Sequence, residues 1–193
     1  MLDWVKKKIE PLIEAKSKVL DLGCGSGDLL ELLIRKKHIK GYGIEIDFKH
    51  ILDCTKRGIS VFQGNIDEGL PEFPDHSYDY VILSQTLQQV QKPDVVISEA
   101  LRVGKKVIVT FPNFAYLPIR YQFLLGRVPK SKELPYEWYN TPNIRILTIR
   151  DFRRFCKKHH IKIIKEVPAF SRFMPNLLSQ AGIFIISLQR STK

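Results

Sequence analysis

Short apolar runs bounded by turn residues alternate along this chain with stretches whose apolar positions recur every three or four residues. Runs at 19–22, 41–46, 61–63, 78–84 and 107–111 have the length of buried strands. Between them, 28–37 places Leu29, Leu30, Leu32, Leu33 and Ile34 on one helical stripe, and 94–103 does the same with Val95, Val96, Ile97, Ala100 and Leu101. Pro93 stands where a helix start tolerates its missing N–H. An N-terminal helix is expected over 1–16. After Phe111 the pattern predicts a helix over 113–126, a loop over 127–146, a basic helix over 149–160 and strands at 162–167 and 182–189. Strand and helix in alternation require right-handed crossovers. The expected fold is therefore α/β: a doubly wound, mainly parallel seven-stranded sheet of Rossmann-like type, covered by helices on both faces. With 193 residues and no repeat or linker, one domain over 1–193 is expected. A loop as long as 127–147 in such a domain suggests a lid or a partner contact, and its string ELPYEWYNTPN is rich in aromatics.

Composition narrows the classes. Hydrophobic residues at 44% and charged residues at 26% fit a soluble globular chain and exclude disordered, collagen-like and membrane-spanning types. Cys24, Cys54 and Cys156 lie far apart in sequence, without a Cys-x-x-Cys pair or a histidine at ligand spacing, so neither a disulfide framework nor a metal site is expected. The start MLDWVKKKIEPL has no apolar signal region, and the run at 181–188 is too short to span a bilayer. A cytoplasmic protein is expected. The net charge of +11 is unevenly placed: residues 113–193 hold 15 Lys and Arg against 4 Asp and Glu, while residues 1–112 hold 16 of each sign. That imbalance fits either a solvated face or an acidic partner.

The candidate chemistry begins at the first strand. Asp21-Leu22-Gly23-Cys24-Gly25-Ser26-Gly27 ends a strand and opens a helix, and its glycines let the backbone turn sharply and approach a ligand. Glu45 ends the second strand, where an acidic side chain can grip ribose hydroxyls. A dinucleotide site would share both features. Asp21 separates the two readings, because a carboxylate there repels pyrophosphate and attracts the sulfonium and ammonium of S-adenosylmethionine.

These residues resemble the first motif of the class I S-adenosylmethionine-dependent methyltransferase superfamily. The resemblance implies S-adenosylmethionine or S-adenosylhomocysteine as cofactor, held by Asp21, Leu22, Gly23, Cys24, Gly25 and Gly27. It implies Glu45 at the ribose, Asn65 and Ile66 at the adenine, and Ser84 and Gln85 at the methionine moiety, with Ile46 also in the cofactor site. Asn65 departs from the superfamily's usual Asp, though its carbonyl can still accept from an adenine amino group. Over residues 18–167 the strings GYGIEID, ILSQTLQQV, FPNF and LPYEWYNTPNI are similar to the methionine biosynthesis protein MetW family. That resemblance implies a methyltransferase-like protein that acts with a homoserine O-acyltransferase, MetX, in the acylation of homoserine.

No catalytic residue is assigned. The Asn/Asp-Pro-Pro-Tyr/Phe string of amino-group methyltransferases and the Pro-Cys of the cytosine-C5 class are both absent. His38, His50, His76, His159 and His160 are bases by residue type alone, and Tyr136, Trp138 and Tyr139 suit an acceptor pocket or a partner anchor. The alternative to an accessory role is an active methyltransferase on a small molecule, protein or nucleic acid. Arg150, Arg153, Arg154, Lys157 and Lys158 alone speak for nucleic acid, which is not the expected partner; nor is a membrane.

Overall fold

Residues 3–167, 169–171 and 173–189 are described by the computed structural model. Strands β1 (Lys18–Leu22), β2 (Lys40–Glu45), β3 (Ser60–Gln63), β4 (Tyr78–Ser84), β5 (Gly104–Pro112), β6 (Ile161–Glu166) and β7 (Ala181–Leu188) build one sheet in the order β3-β2-β1-β4-β5-β7-β6. The five N-terminal strands run parallel, and β7 pairs antiparallel with both β5 and β6. The order reverses at β1, so β2 and β4 flank it and their C-terminal ends open a crevice.

Alternate residues along the inner strands feed two cores. Leu20, Leu22, Val81, Leu83, Val107 and Val109 pack on one face against α4 (Pro93–Val103) and α6 (Ile149–Lys158). Val19, Tyr80, Ile82 and Ile108 pack on the other against α1 (Asp3–Ile9) and α2 (Asp28–Lys37), which contribute Val5, Ile9, Leu29, Leu30 and Leu33. Arg35, Lys36 and Lys37 close α2 where cations complement the helix dipole. Thr148 caps α6 by accepting from the Asp151 amide, and Ile149, Phe152 and Cys156 form its buried stripe.

Several expected boundaries move. The N-terminal helix stops at Ile9 and gives way to a 3-10 turn over Glu10–Leu12, because Pro11 has no N–H to continue the ladder; residues 1 and 2 lie outside the described residues. The helix expected over 113–126 is only α5 (Leu117–Leu124): Asn113 Oδ1 accepts from the Ala115 amide at 3.1 Å and holds the segment before it in a turn. Helix α3 (Phe48–Lys56), capped by Asp47 through the Lys49 amide, and the short α7 (Pro175–Leu178) were not expected. The basic helix ends at Lys158 rather than His160.

The stretch 127–146 contains neither helix nor strand, as expected, but it is anchored. Ser131 Oγ accepts from the amides of Glu133 and Leu134, each at 3.2 Å. The amides of Ile144 and Arg145 both donate to the Gln88 carbonyl, at 2.9 and 3.0 Å. The Arg145 guanidinium reaches the carbonyls of Val90 and Gln91. The loop is thereby tied to the turn that follows β4.

Candidate cofactor cleft

The C-terminal ends of β1, β2 and β4 surround a cleft of about 1100 Å³, roofed by the 127–146 loop. Its floor is the glycine loop. The amides of Gly23 and Cys24 both donate to the Ile44 carbonyl, at 2.9 and 3.1 Å, and Thr86 Oγ1 donates to the Leu22 carbonyl at 3.0 Å. Gly23 has φ +70°, and a Cβ there would lie 2.7 Å from Thr86 Cγ2, so the turn admits no side chain. Gly27, at φ +80° where α2 begins, would place a Cβ 2.5 Å from Ile59 Cδ1.

Glu45 organises the loop from the neighbouring strand. Its Oε2 accepts from the Gly25 amide at 2.8 Å, and its Oε1 accepts from Ile46 and Asp47 at 2.9 and 3.0 Å. A carboxylate offers about four acceptor positions. One therefore remains, on Oε2, for a hydroxyl in the cleft.

Asp21 lies beneath the loop and is 1% exposed, with neither oxygen hydrogen-bonded. Burial, and then the nearby Glu45 charge, push its carboxyl up to about 7. An unpartnered buried carboxylate at this point fits a cationic ligand above it, the charge type that S-adenosylmethionine carries. Asp21 itself is not among the residues lining the cleft.

Cys24 and Cys54, distant in sequence, meet under the same loop with their sulfurs 4.0 Å apart and reduced, and Cys54 Sγ donates to the Gly25 carbonyl at 3.2 Å. Burial raises the pKa of both thiols. They pack as small apolar groups and are poor nucleophiles.

On the β4 side, Ser84 Oγ and Thr110 Oγ1 share a hydrogen bond of 3.2 Å, and Gln85 sits at φ +60° with its amide on the Thr110 carbonyl at 3.0 Å. Asn65 Oδ1 accepts from the Asp67 amide at 3.1 Å while its Nδ2 donates to Glu68 Oε1 at 3.1 Å. Asp67 in turn accepts from the amides of Gln91 and Lys92, at 3.0 and 2.7 Å.

Nine of the twelve residues expected at a cofactor line this one cleft: Gly23, Cys24, Gly25, Glu45, Ile46, Asn65, Ile66, Ser84 and Gln85. Asp21, Leu22 and Gly27 do not; Leu22 is core, and Gly27 serves the packing of α2 on Ile59. Asp47, His50, Gln88, Lys132 and Glu133 also line it, none of them singled out for the cofactor from sequence. Of the five histidines only His50 reaches the cleft, and of the three loop aromatics only Tyr136. Trp138 and Tyr139 are 71% and 69% exposed and meet edge to face away from it. The lining carries five carboxylates, those of Asp28, Glu45, Asp47, Asp67 and Glu133, against one lysine and one histidine. The cleft is thus acidic in a chain of net charge +11. Among the described residues no helix is long and apolar enough to cross a membrane, and no group of three or more His, Cys, Asp or Glu is placed to hold a metal ion.

Comparison with known proteins agrees with the fold. The family model described as methionine biosynthesis protein MetW matches residues 5–186. The bifunctional methionine biosynthesis protein MetXA/MetW of Rhodopirellula baltica is 39% identical over 172 residues, which cover 84% of this chain and 28% of that protein. A ubiquinone biosynthesis O-methyltransferase of Aeromonas salmonicida is 27% identical over 143 residues, 67% of this chain and 59% of that one. The chain therefore spans less than two thirds of either relative. Solved SAM-dependent methyltransferases from Archaeoglobus fulgidus and Aquifex aeolicus superpose with TM-scores of 0.68 and 0.66, at 17% and 15% identity. They cover 94% and 96% of this chain, and the matched regions cover 92% and 90% of theirs.

Proposed function

The chain belongs to the methionine biosynthesis protein MetW family; from that premise we propose that its cleft binds S-adenosylmethionine or S-adenosylhomocysteine, and that the bound protein acts with a homoserine O-acyltransferase of the MetX kind in the acylation of homoserine. The observation that carries the cofactor reading is the bare buried carboxylate of Asp21 beneath a glycine loop pinned by Glu45. The partnership is supported by the R. baltica relative, whose name joins MetXA and MetW in one chain.

The residues divide the work by position. Glu45 takes a ribose hydroxyl on the free position of Oε2 and keeps the loop shaped through Gly25. Asn65 and Ile66 would border the adenine, with Ile46 beside them on the same lining. Ser84 and Gln85 face the methionine end, and Asp21 supplies the countercharge below. When bound, S-adenosylmethionine supplies a methyl group activated on a cationic sulfonium. Residues 1–193 form the cofactor-binding unit, working in the cytoplasm, and 127–147 serves as lid or partner contact.

Titration calorimetry tests the cofactor reading: micromolar binding of either ligand with negligible NAD binding is expected, and tight NAD binding refutes it. Co-purification with the acyltransferase and a homoserine acylation assay test the partnership. An acyltransferase fully active alone, without association, refutes that part.

A second reading, active methyl transfer, has one observation in its favour. The cleft, at about 1100 Å³, exceeds the usual range of roughly 300–1,000 Å³ for a single small-molecule site and leaves room for an acceptor. The five lining carboxylates favour a small or cationic acceptor over nucleic acid, whose phosphates they would repel.

A further inference from the structure

Two residues that line the cleft, Gln88 in the turn after β4 and Glu133 in the 127–146 loop, carry buried acceptors with no donor among the described residues. Gln88 is 3% exposed. Its Nε2 donates to the Gln85 carbonyl at 2.7 Å, which fixes the amide orientation and leaves Oε1 without a partner. Glu133 is 8% exposed. Its Oε2 accepts from Ser131 Oγ at 3.2 Å, and its Oε1 has no partner. Both residues line the cleft that the cofactor residues line. Buried acceptors left bare are a standing cost that a donor-bearing ligand removes. An ammonium group offers three donors and a charge that answers the Glu133 carboxylate, whereas a neutral hydroxyl offers one donor and none. Lys132, exposed on the same lining beside Glu133, makes no ion pair among the described residues.

We infer that this compartment binds a small α-amino acid beside the cofactor, its ammonium on Glu133 Oε1 and Gln88 Oε1 and its carboxylate toward Lys132. The inference rests on the cofactor reading for its neighbour but not for its own contacts. At this end the loop is tied to the body through the Gln88 carbonyl and the Arg145 side chain, and at its other end Lys130 is held by Gln122 of α5. An amino acid seated on Gln88 would therefore stabilise the closed loop, and the cofactor with it.

The test titrates the full chain, free and saturated with S-adenosylhomocysteine, with glycine, L-serine, L-homoserine and L-methionine, and with the N-acetyl form of each. Calorimetry and thermal shift are the readouts. At least one free amino acid should bind, more tightly to the loaded protein, while its N-acetyl form, which lacks the ammonium, should not. Glu133→Gln should weaken that binding by roughly tenfold or more and leave S-adenosylhomocysteine affinity nearly unchanged. Lys132→Ala, at an exposed position that folding does not depend on, should weaken it as well. Failure of all four amino acids to bind either form overturns the inference, as does equal binding of the N-acetyl forms or indifference to both substitutions. If S-adenosylhomocysteine fails to bind while an amino acid binds, the cofactor reading falls and this one stands.

Discussion

Glu45 and Gly25 are joined across twenty residues of sequence by a 2.8 Å hydrogen bond from the glycine amide to the carboxylate. The side chain expected to grip a ribose is therefore also the brace of the loop that would pass beneath the ligand. Removing it does two things at once. Glu45→Ala should weaken S-adenosylmethionine and S-adenosylhomocysteine binding by roughly 1.5–3 kcal/mol through the lost charge-assisted hydrogen bond, with a further loss from a loosened loop. Glu45→Gln keeps one acceptor but presents an NH₂ to backbone donors, so it should fall between the two. Calorimetry on the three proteins checks the order, and an unaffected Glu45→Ala variant refutes the assignment.

Asp21 makes binding and stability depend on pH. Its carboxyl, ordinarily near 3.8, is pushed up to about 7 by burial first and Glu45 second. The other titratable groups against it, the Cys24 and Cys54 thiols, are themselves raised by burial and stay neutral in this range. The folded state thus holds a proton that the unfolded chain has released. Stability should fall as pH rises from about 4 to about 7 and then level off. Asp21→Asn removes the ionisation and should abolish that decline, a gain at pH 8 on the order of 4 kcal/mol from the pKa difference alone. A cationic ligand has the opposite effect on the carboxyl, favouring its ionised form. Near pH 7, S-adenosylmethionine should therefore bind with release of a proton, seen as a binding heat that depends on the buffer's ionisation heat. In Asp21→Asn that dependence should vanish.

Asn113 is fully buried in the string FPNF and acts as a hub. It donates to the carbonyls of Asn176 and Ser179 at 3.0 and 2.7 Å and accepts from the Ala115 amide at 3.1 Å. Asn113→Leu strands these groups in the interior and should destabilise the fold by about 3 kcal/mol or more. Chemical denaturation measures it. A loss below about 1 kcal/mol would mean that water replaces the side chain.

The sheet was legible because its inner strands β1, β4, β5 and β7 are mostly apolar runs and the outer β2, β3 and β6 still keep short apolar stretches bounded by turn residues, and every expected strand lies within a few residues of its observed place. Helix α3 was not. Its sequence FKHILDCTK carries Phe48, Ile51 and Leu52 at helical spacing, but the stripe is short, Phe48 and Leu52 stay exposed, and the helix buries only Cys54. The over-long helix at 113–126 failed for the converse reason: apolar residues continue through it, yet α5 buries only Ile119, and what they form is an exposed surface. In the cleft, the meeting of Gly23, Gly25 and Glu45, with Asp21 beneath, was legible from motif spacing, since chain order fixes their neighbourhood. Gln88 and Glu133 were not, because their relevance is a missing hydrogen bond, which only packing reveals. The Cys24–Cys54 contact was hidden in the same way, by a helix not foreseen.

The proposed contact with an acyltransferase should be chiefly apolar. Helix α5 and the residues after it leave Leu117, Tyr121, Leu124 and Leu125 at least half exposed, and the neighbouring segment in sequence exposes Trp138 and Tyr139. Large apolar and aromatic side chains dominate interface energies when a partner desolvates them. Trp138→Ala and Leu124→Asp should each cost about 2 kcal/mol or more of affinity at any salt concentration. The basic helix should contribute differently. Arg153 is already committed, holding Glu166 through two hydrogen bonds of 2.8 Å, so reversing its charge would disturb β6 instead of reporting on a partner. Arg154 and Lys158 are exposed and carry no such pairing among the described residues. Arg154→Glu combined with Lys158→Glu should slow association at low salt and have little effect above about 0.3 M, where the screening length falls to a few ångströms. Surface plasmon resonance across a salt series separates the two classes. If the apolar variants lose their effect with salt, or the charge reversal slows binding equally at all salt concentrations, the interface lies elsewhere on the molecule.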